Sequence, residues 1–579
     1  MMHDRTSSTA QFIAMLGSQR LRYLFTLFTG KGWGKKSAIF FLIACLSPSG
    51  AVADDALGGA KSPVPDMSLK RDWQYKRVHQ LAMRYILLGR LDEADSFLND
   101  YLKEHPDDAE TYYMLGLLAG QRGELDRGSE ALQKAVELGL PPGRIVAGPR
   151  EVMQPLTETD FVKQQMSHFE KNLVHGPFIG QVSDITASIW VRTGVPSSVT
   201  IRVTQTGLKD RSQATGLEPM KTSDRDDFTG VCQLRGLTPD TRYQYQVIID
   251  GNETEASIDQ YFRTMPAVGT PSKFSLAFGG GAGYVPENER MWDTINSFGP
   301  RLMLLLGDNV YIDDPESPVM QQYTYQRRQS RPEWRRLTAH TPTFTIWDDH
   351  DFSVNDSWGG PHVDVPRWKF DYSWPIFQQN WANPRYESGN RPGCWYSFKV
   401  GDVDFVMLDC RYYRTDPEGD APTMLGPVQL AWLKQTLQGL SGTFKVICSS
   451  VPFDYRTKGD SLDTWNGYKS ERDEIFNFIT ENKIEGVLLM SADRHRSDAW
   501  RIDRAGTYPL YEFNSSRLTN QHVHETMEKA GAIFSYNAKQ SFGLVEFDTT
   551  LDAPTVKYSV INIDGERFDD LTVQRSELE

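Results

Sequence analysis

Five short, mainly apolar or β-branched runs in the second half of the chain each stop at an abrupt polar turn, and this repeated pattern constrains the fold most. Leu302–Leu306 is wholly apolar and gives way to Gly307-Asp308-Asn309-Val310-Tyr311-Ile312-Asp313-Asp314. Thr343–Ile346 leads into Trp347-Asp348-Asp349-His350-Asp351, and Val403–Leu408 into Asp409-Cys410-Arg411. Phe444–Cys448 ends in Ser449-Ser450, and Gly486–Met490 in Ser491-Ala492-Asp493-Arg494-His495. Apolar runs this short, each closed by a turn, read as strands buried on both faces. Open α/β sheets place ligands at the C-terminal ends of their strands, so these Asp and His residues are expected along one sheet edge. Crowded carboxylates repel one another unless cations hold them. Oxygen ligands joined by imidazole therefore point to a two-metal hydrolytic site. The plainer reading, in which an Asp merely caps the following helix, accounts for one or two of them but not for all.

The motifs resemble those of the PhoD-like branch of the metallophosphatases, the alkaline phosphatase D family. The resemblance rests on Gly307-Asp308-Asn309-Val310-Tyr311, on Trp347-Asp348-Asp349-His350-Asp351 followed by Asn355-Asp356, and on Leu408-Asp409-Cys410-Arg411-Tyr412-Tyr413-Arg414. Ser491-Ala492-Asp493-Arg494-His495 and Tyr508-Pro509-Leu510-Tyr511-Glu512 extend it, so that it runs from about Val174 to Phe547. It implies a metal-dependent phosphatase acting on phosphomonoesters or phosphodiesters, with an α/β catalytic domain built on a central β-sandwich. Asp308, directly after the central strand, is the candidate carboxylate for bridging two metals. Tyr311 is a phenolate ligand if the resemblance holds. Asn355 offers a carboxamide oxygen, Asp349 and Asp409 further carboxylates, and Asp493 and His495 the ligands of the last strand. The metals would lower the pKa of a bound water, and the resulting hydroxide would attack phosphorus in line. His350 is placed either to protonate the leaving group or to sit as a core imidazole against a carboxylate. Arg411 either grips phosphate bidentately or pairs with Asp409 across the turn.

One position departs from the family. Its first strand usually ends in Ser-Cys, whose thiolate binds iron, whereas Phe278 here precedes Gly279-Gly280-Gly281, with Gly281 where that Cys would stand. A divalent ion (calcium, magnesium, manganese or zinc) is thus expected in preference to iron.

Upstream, Lys31, Lys35 and Lys36 precede the apolar run Ala38–Leu46 and then Ala51-Val52-Ala53. That order reads as an export signal over residues 1–53, with a periplasmic or extracellular destination. Leu42-Ile43-Ala44-Cys45 offers the alternative of a lipoprotein anchored at Cys45. No later stretch is apolar enough to cross a membrane. A Gly- and Pro-rich linker over 54–70 follows. Residues 71–140 then repeat small and large apolar positions at the spacing of Leu81 to Leu115 and Gly89 to Gly123, the 34-residue period of tetratricopeptide hairpins. Two such repeats are marginal alone, so they lean on the rest of the chain, the favoured reading, or recruit a protein partner.

Residues 141–173 form a connector, helical around Thr159–Glu170. Over 174–268, alternating segments such as Ser198–Thr204 and Thr241–Asp250 predict a small sandwich of immunoglobulin or fibronectin type, with a corner at Leu237–Tyr243. Residues 272–579 then make the catalytic domain. Within it, Arg327, Arg328, Arg331, Arg335 and Arg336 read as a solvated helix face. A chain of 579 residues needs several such domains, and its net charge of −14 argues against nucleic acid as a partner. The alternative to an enzyme is a non-catalytic scaffold acting through the repeats.

Overall fold

The computed structural model describes residues 74–206, 219–255 and 258–579, together with the backbone of 213–215. The export signal, Cys45 and the linker lie outside the described residues. Among the described residues, four helices come first: α1 (Tyr75–Leu87), α2 (Leu91–Glu104), α3 (Ala109–Arg122) and α4 (Leu125–Glu137). Asp108 starts α3 by accepting the Thr111 N–H at 2.8 Å. Leu81, Ala82, Leu98, Leu117 and Leu132 on the inner faces share one core with Val319, Met320 and Tyr323 of the C-terminal part. These hairpins therefore bury their apolar faces within the chain.

Among the described residues, nine strands lie between His175 and Arg263. β1 (His175–Val182), β2 (Thr186–Arg192) and β6 (Thr229–Arg235) form one antiparallel sheet. β3 (Ser198–Gln205), β4 (Gln213–Thr215), β5 (Met220–Lys221), β7 (Arg242–Ile249), β8 (Asn252–Glu253) and β9 (Tyr261–Arg263) form the other. The expected corner is present: Tyr243 Oη accepts the Thr238 N–H at 2.9 Å.

The C-terminal part stacks two larger sheets. One has the order β12-β11-β10-β20-β21-β22 and contains the parallel strands β10 (Lys273–Gly279), β11 (Leu302–Leu306) and β12 (Thr343–Ile346). β20 (Ser541–Asp548), β21 (Thr555–Asn562) and β22 (Arg567–Gln574) complete it antiparallel. The other runs β13-β14-β15-β16-β18-β17-β19. Its parallel strands are β14 (Val403–Met407), β15 (Phe444–Cys448), β16 (Val487–Ser491) and β18 (Leu510–Ser515). β13 (Tyr396–Val400), β17 (Ser497–Ile502) and β19 (Phe534–Tyr536) pair antiparallel with them. Aromatic rings bridge the two sheets, Phe405 with Phe547 at 6.1 Å and Phe513 with Tyr558 at 4.9 Å. All five residues of β11 and of β14 are buried, as strands covered on both faces must be.

The arginine-rich segment departs from its expected form. It makes two helices, α5 (Pro318–Gln329) and α6 (Pro332–Thr338), divided where Pro332 restarts the helix. Arg327 and Arg328 are buried rather than solvated. Arg328 pairs with Glu289, and Arg327 lies 4.4 Å from the Tyr284 ring centroid. Helical spacing counts charges but does not show whether a partner waits inside. The four described cysteines are free and buried. No helix among the described residues is long and apolar enough to cross a membrane.

Candidate metal centre

The loops after β11 and β12 meet. Gly307 has φ +102°, and a Cβ there would lie 2.5 Å from the Asp348 Cβ, so only glycine lets the two turns approach this closely. The turns are tied by Asp351, whose carboxylate accepts the Asn309 N–H at 3.2 Å and the Val310 N–H at 3.0 Å. Asp308 follows Gly307 with φ +53°, and Asp313, Asp493 and His495 also take positive φ (52°, 68° and 46°). Left-handed backbone at several non-glycine residues in these loops is strain that the surrounding packing must hold, and such strain concentrates at functional sites.

Asp308, Asp349 and His350 are buried, and each offers a ligand atom within 4.8 Å of the other two. Asp349, Asp356 and Asp463 form a second such group, so Asp349 is common to both. Tyr311 donates its hydroxyl proton to Asp308 Oδ2 at 2.8 Å and accepts from Asn520 Nδ2 at 2.7 Å. Asp308 Oδ1 is buried with no hydrogen-bond partner. Burial first, then Asp349 and Asp348, drive the Asp308 carboxyl well above its usual range. Burial likewise pushes Asp348 up to about 7, although Arg411 works against it. Burial would also raise Asp493, but Lys458 and Arg494 hold it below its ordinary value. His495 is depressed well below the usual imidazole value by burial and then by Lys76. His350 behaves differently: burial opposes its charge, yet Asp313, with Oδ1 2.5 Å from Nδ1, raises it. On Asp308, burial and four neighbouring carboxylates all act in the same direction. The orphaned Oδ1 and the all-oxygen-and-nitrogen donor set fit a hard divalent cation there.

Comparison with known proteins agrees. Residues 276–558 match the PhoD-like phosphatase family, and residues 170–267 match a domain of unknown function (DUF7800). Residues 276–558 are a PhoD-like phosphatase domain. Alkaline phosphatase D of Bacillus subtilis is 24% identical over 234 residues, covering 35% of this chain and 40% of that protein. Purple acid phosphatase 13 of Arabidopsis thaliana is 26% identical over 330 residues, covering 51% of this chain and 55% of that one. The chain thus spans about half the length of the curated relatives it matches. The solved structure of PhoD superposes with a TM-score of 0.59 at 16% identity, covering 69% of this chain and 90% of that one. A purple acid phosphatase from yellow lupin seeds gives 0.50 at 12% identity, covering 69% and 75%. At these identities the superpositions establish the fold alone.

Within the PhoD-like domain, two expected site residues have other partners and a third lies apart from the buried acids. Asp409, expected as a ligand, is saturated by N–H donors. Oδ1 accepts from Trp347 Nε1 at 2.8 Å, Arg411 N at 2.9 Å and Tyr412 N at 3.0 Å, and Oδ2 accepts from Cys394 N at 2.9 Å. It caps its own turn. Arg411, expected to grip phosphate or pair with Asp409, is fully buried, and its guanidinium is directed to other partners. Nε bonds Asp348 Oδ1 at 2.5 Å, and Nη1 reaches Asp463 at 2.8 Å and the Ser357 carbonyl at 3.0 Å. Asn355 is exposed and stands outside the buried acids, and its neighbour Asp356 belongs to the second group instead.

Residues not anticipated from sequence complete the surroundings. Lys458 ends a short 3-10 helix (Tyr455–Lys458) and Asp463 lies in the loop after it, with Lys458 Nζ 3.2 Å from Asp463 and 3.4 Å from Asp493. Asn520 follows β18, and the rings of His522 and His524 stand 5.0 and 5.2 Å from His495. The one available signal was His522-Val523-His524, two imidazoles one residue apart.

Proposed function

We propose that the chain is a metal-dependent phosphatase that hydrolyses phosphomonoesters or phosphodiesters. The observation that carries this reading is Asp308, a buried carboxylate with an unpartnered oxygen beside Asp349 and His350. A divalent ion, when bound, supplies an activated water at neutral pH and polarises the phosphoryl oxygens. Asp308 and Asp349 would hold it, with Asp493 and His495 on the facing loop. Tyr311 steadies Asp308 through its hydroxyl. His350 has Nδ1 committed to Asp313, which leaves Nε2 to hand a proton to the leaving oxygen. Because Arg411 is spent on Asp348 and Asp463, Lys458 at the lip is the better cation for a phosphate oxygen. A scaffold needs none of these convergent charges.

Asp308→Asn tests the reading. The variant should fold as the wild type does, bind Mn²⁺ at least ~10-fold more weakly by calorimetry, and lose nearly all hydrolysis of p-nitrophenyl and bis-p-nitrophenyl phosphate. Wild-type turnover by this variant would overturn the assignment.

A further inference from the structure

Helix α1 belongs to the repeat region, yet one of its faces is laid on the loop that follows Asp308. Arg77 pairs through Nη1 with Asp313 Oδ2. Gln80 Nε2 donates to the carbonyls of Tyr311 and Ile312. Arg84 reaches Asp314 Oδ2 at 2.9 Å and the Asp313 carbonyl at 2.7 Å. In the first turn, Lys76 Nζ lies 3.8 Å from the Tyr311 ring centroid and 3.4 Å from Asn520 Oδ1. Positions 76, 77, 80 and 84 share a helix face by their spacing, and each meets the loop or a residue touching it. A helix that only covered an apolar surface would have no use for this set.

We propose that Arg77 is a positioning residue for His350, acting through Asp313, and that α1 is thereby a working part of the catalytic centre. This rests on the phosphatase reading above. The chain of contacts is continuous. Arg77 engages Asp313 Oδ2, and Asp313 Oδ1 accepts from His350 Nδ1 at 2.5 Å. The Ile312 N–H donates to the His350 carbonyl at 3.0 Å, fixing the backbone of the same residue. Asp313 takes an uncommon left-handed φ of +52°, so something must hold it, and Arg77 and Arg84 grip its carboxylate and carbonyl respectively. A carboxylate on Nδ1 sets the tautomer and the plane of the ring, and so directs Nε2. Without Arg77 the Asp313 carboxylate is free to rotate, and the imidazole loses its heading. Asp308 and Asp349 do not touch Arg77, so the loss should fall on turnover and not on metal binding.

The test uses the full-length protein, Mn²⁺ and p-nitrophenyl phosphate. Arg77→Ala should lower kcat by roughly 10- to 100-fold, with KM and the Mn²⁺ dissociation constant within about twofold of wild type. Arg77→Lys, which keeps the charge, should recover most of the rate. Asp313→Asn should match Arg77→Ala, and the double variant should be no slower than either single one, because both changes cut one path. A kcat for Arg77→Ala equal to wild type overturns the proposal. So does a loss that is matched in Mn²⁺ affinity and melting temperature, since that marks a structural role. An inactive wild-type protein would instead remove the phosphatase reading itself.

Discussion

Gly281 has φ +66°, and a Cβ built there would lie 2.8 Å from the Arg517 amide nitrogen and 3.2 Å from His495 Nδ1. The family's cysteine could not simply be restored, since the left-handed conformation costs an L-residue about 1–2 kcal/mol before any clash is counted. Gly281→Cys and Gly281→Ala should therefore lose similar stability in urea unfolding, and neither should acquire iron. A cysteine variant that folds as well as wild type and takes up iron would show that the backbone is not the obstacle. At this scale the sequence discloses position better than availability. Strand order alone brings Asp308, Tyr311, Asp349 and His350 to one edge, because parallel strands must end together. Asp409 ends its strand in the same way, yet four N–H groups consume it. Which donors surround an oxygen depends on turns and on distant residues such as Cys394, and no local pattern encodes that.

Elements were more legible than individual contacts. β11, β12 and β15 begin and end where their mainly apolar and β-branched runs do, and every residue in them is buried, Lys445 included, with its Nζ donating to the Gly442 and Glu485 carbonyls. The helices of the arginine segment were misjudged because their polarity is answered inside the protein. The same holds where the N-terminal helices meet α5. Glu110 of α3 accepts from Arg144 Nη2 and from the Tyr323 hydroxyl, both at 2.8 Å, and Arg144 is fully buried. Glu110→Ala would strand a buried guanidinium, so it should destabilise the protein by about 3–5 kcal/mol in urea unfolding. Tyr323→Phe removes one hydrogen bond and should cost only about 1 kcal/mol. Equal, small effects from both would show that the interface does not depend on this charge pair.

For the molecule as a whole, the carboxylates at the sheet edge tie stability to both pH and metal. Burial raises Asp308 well above its ordinary range and pushes Asp348 and Asp351 up to about 7. A carboxyl whose folded pKa exceeds its unfolded value binds protons in the folded state that the unfolded chain does not hold. The metal-free protein should therefore gain stability as pH falls from about 8 to about 6.5. Further acidification is opposed by His495 and His175, both depressed first by burial, because the unfolded chain then takes protons that the folded one refuses. A bound cation reverses the sign in the upper window, since it binds the ionised carboxylates and competes with protons. Thermal melts in chelator should show a higher midpoint at pH 6.5 than at pH 8, and melts with excess Mn²⁺ the reverse order. If the chelated protein melted lower at pH 6.5, the acids would already be neutralised by Lys458, Arg411 and Arg494. The site would then have no electrostatic need of a metal.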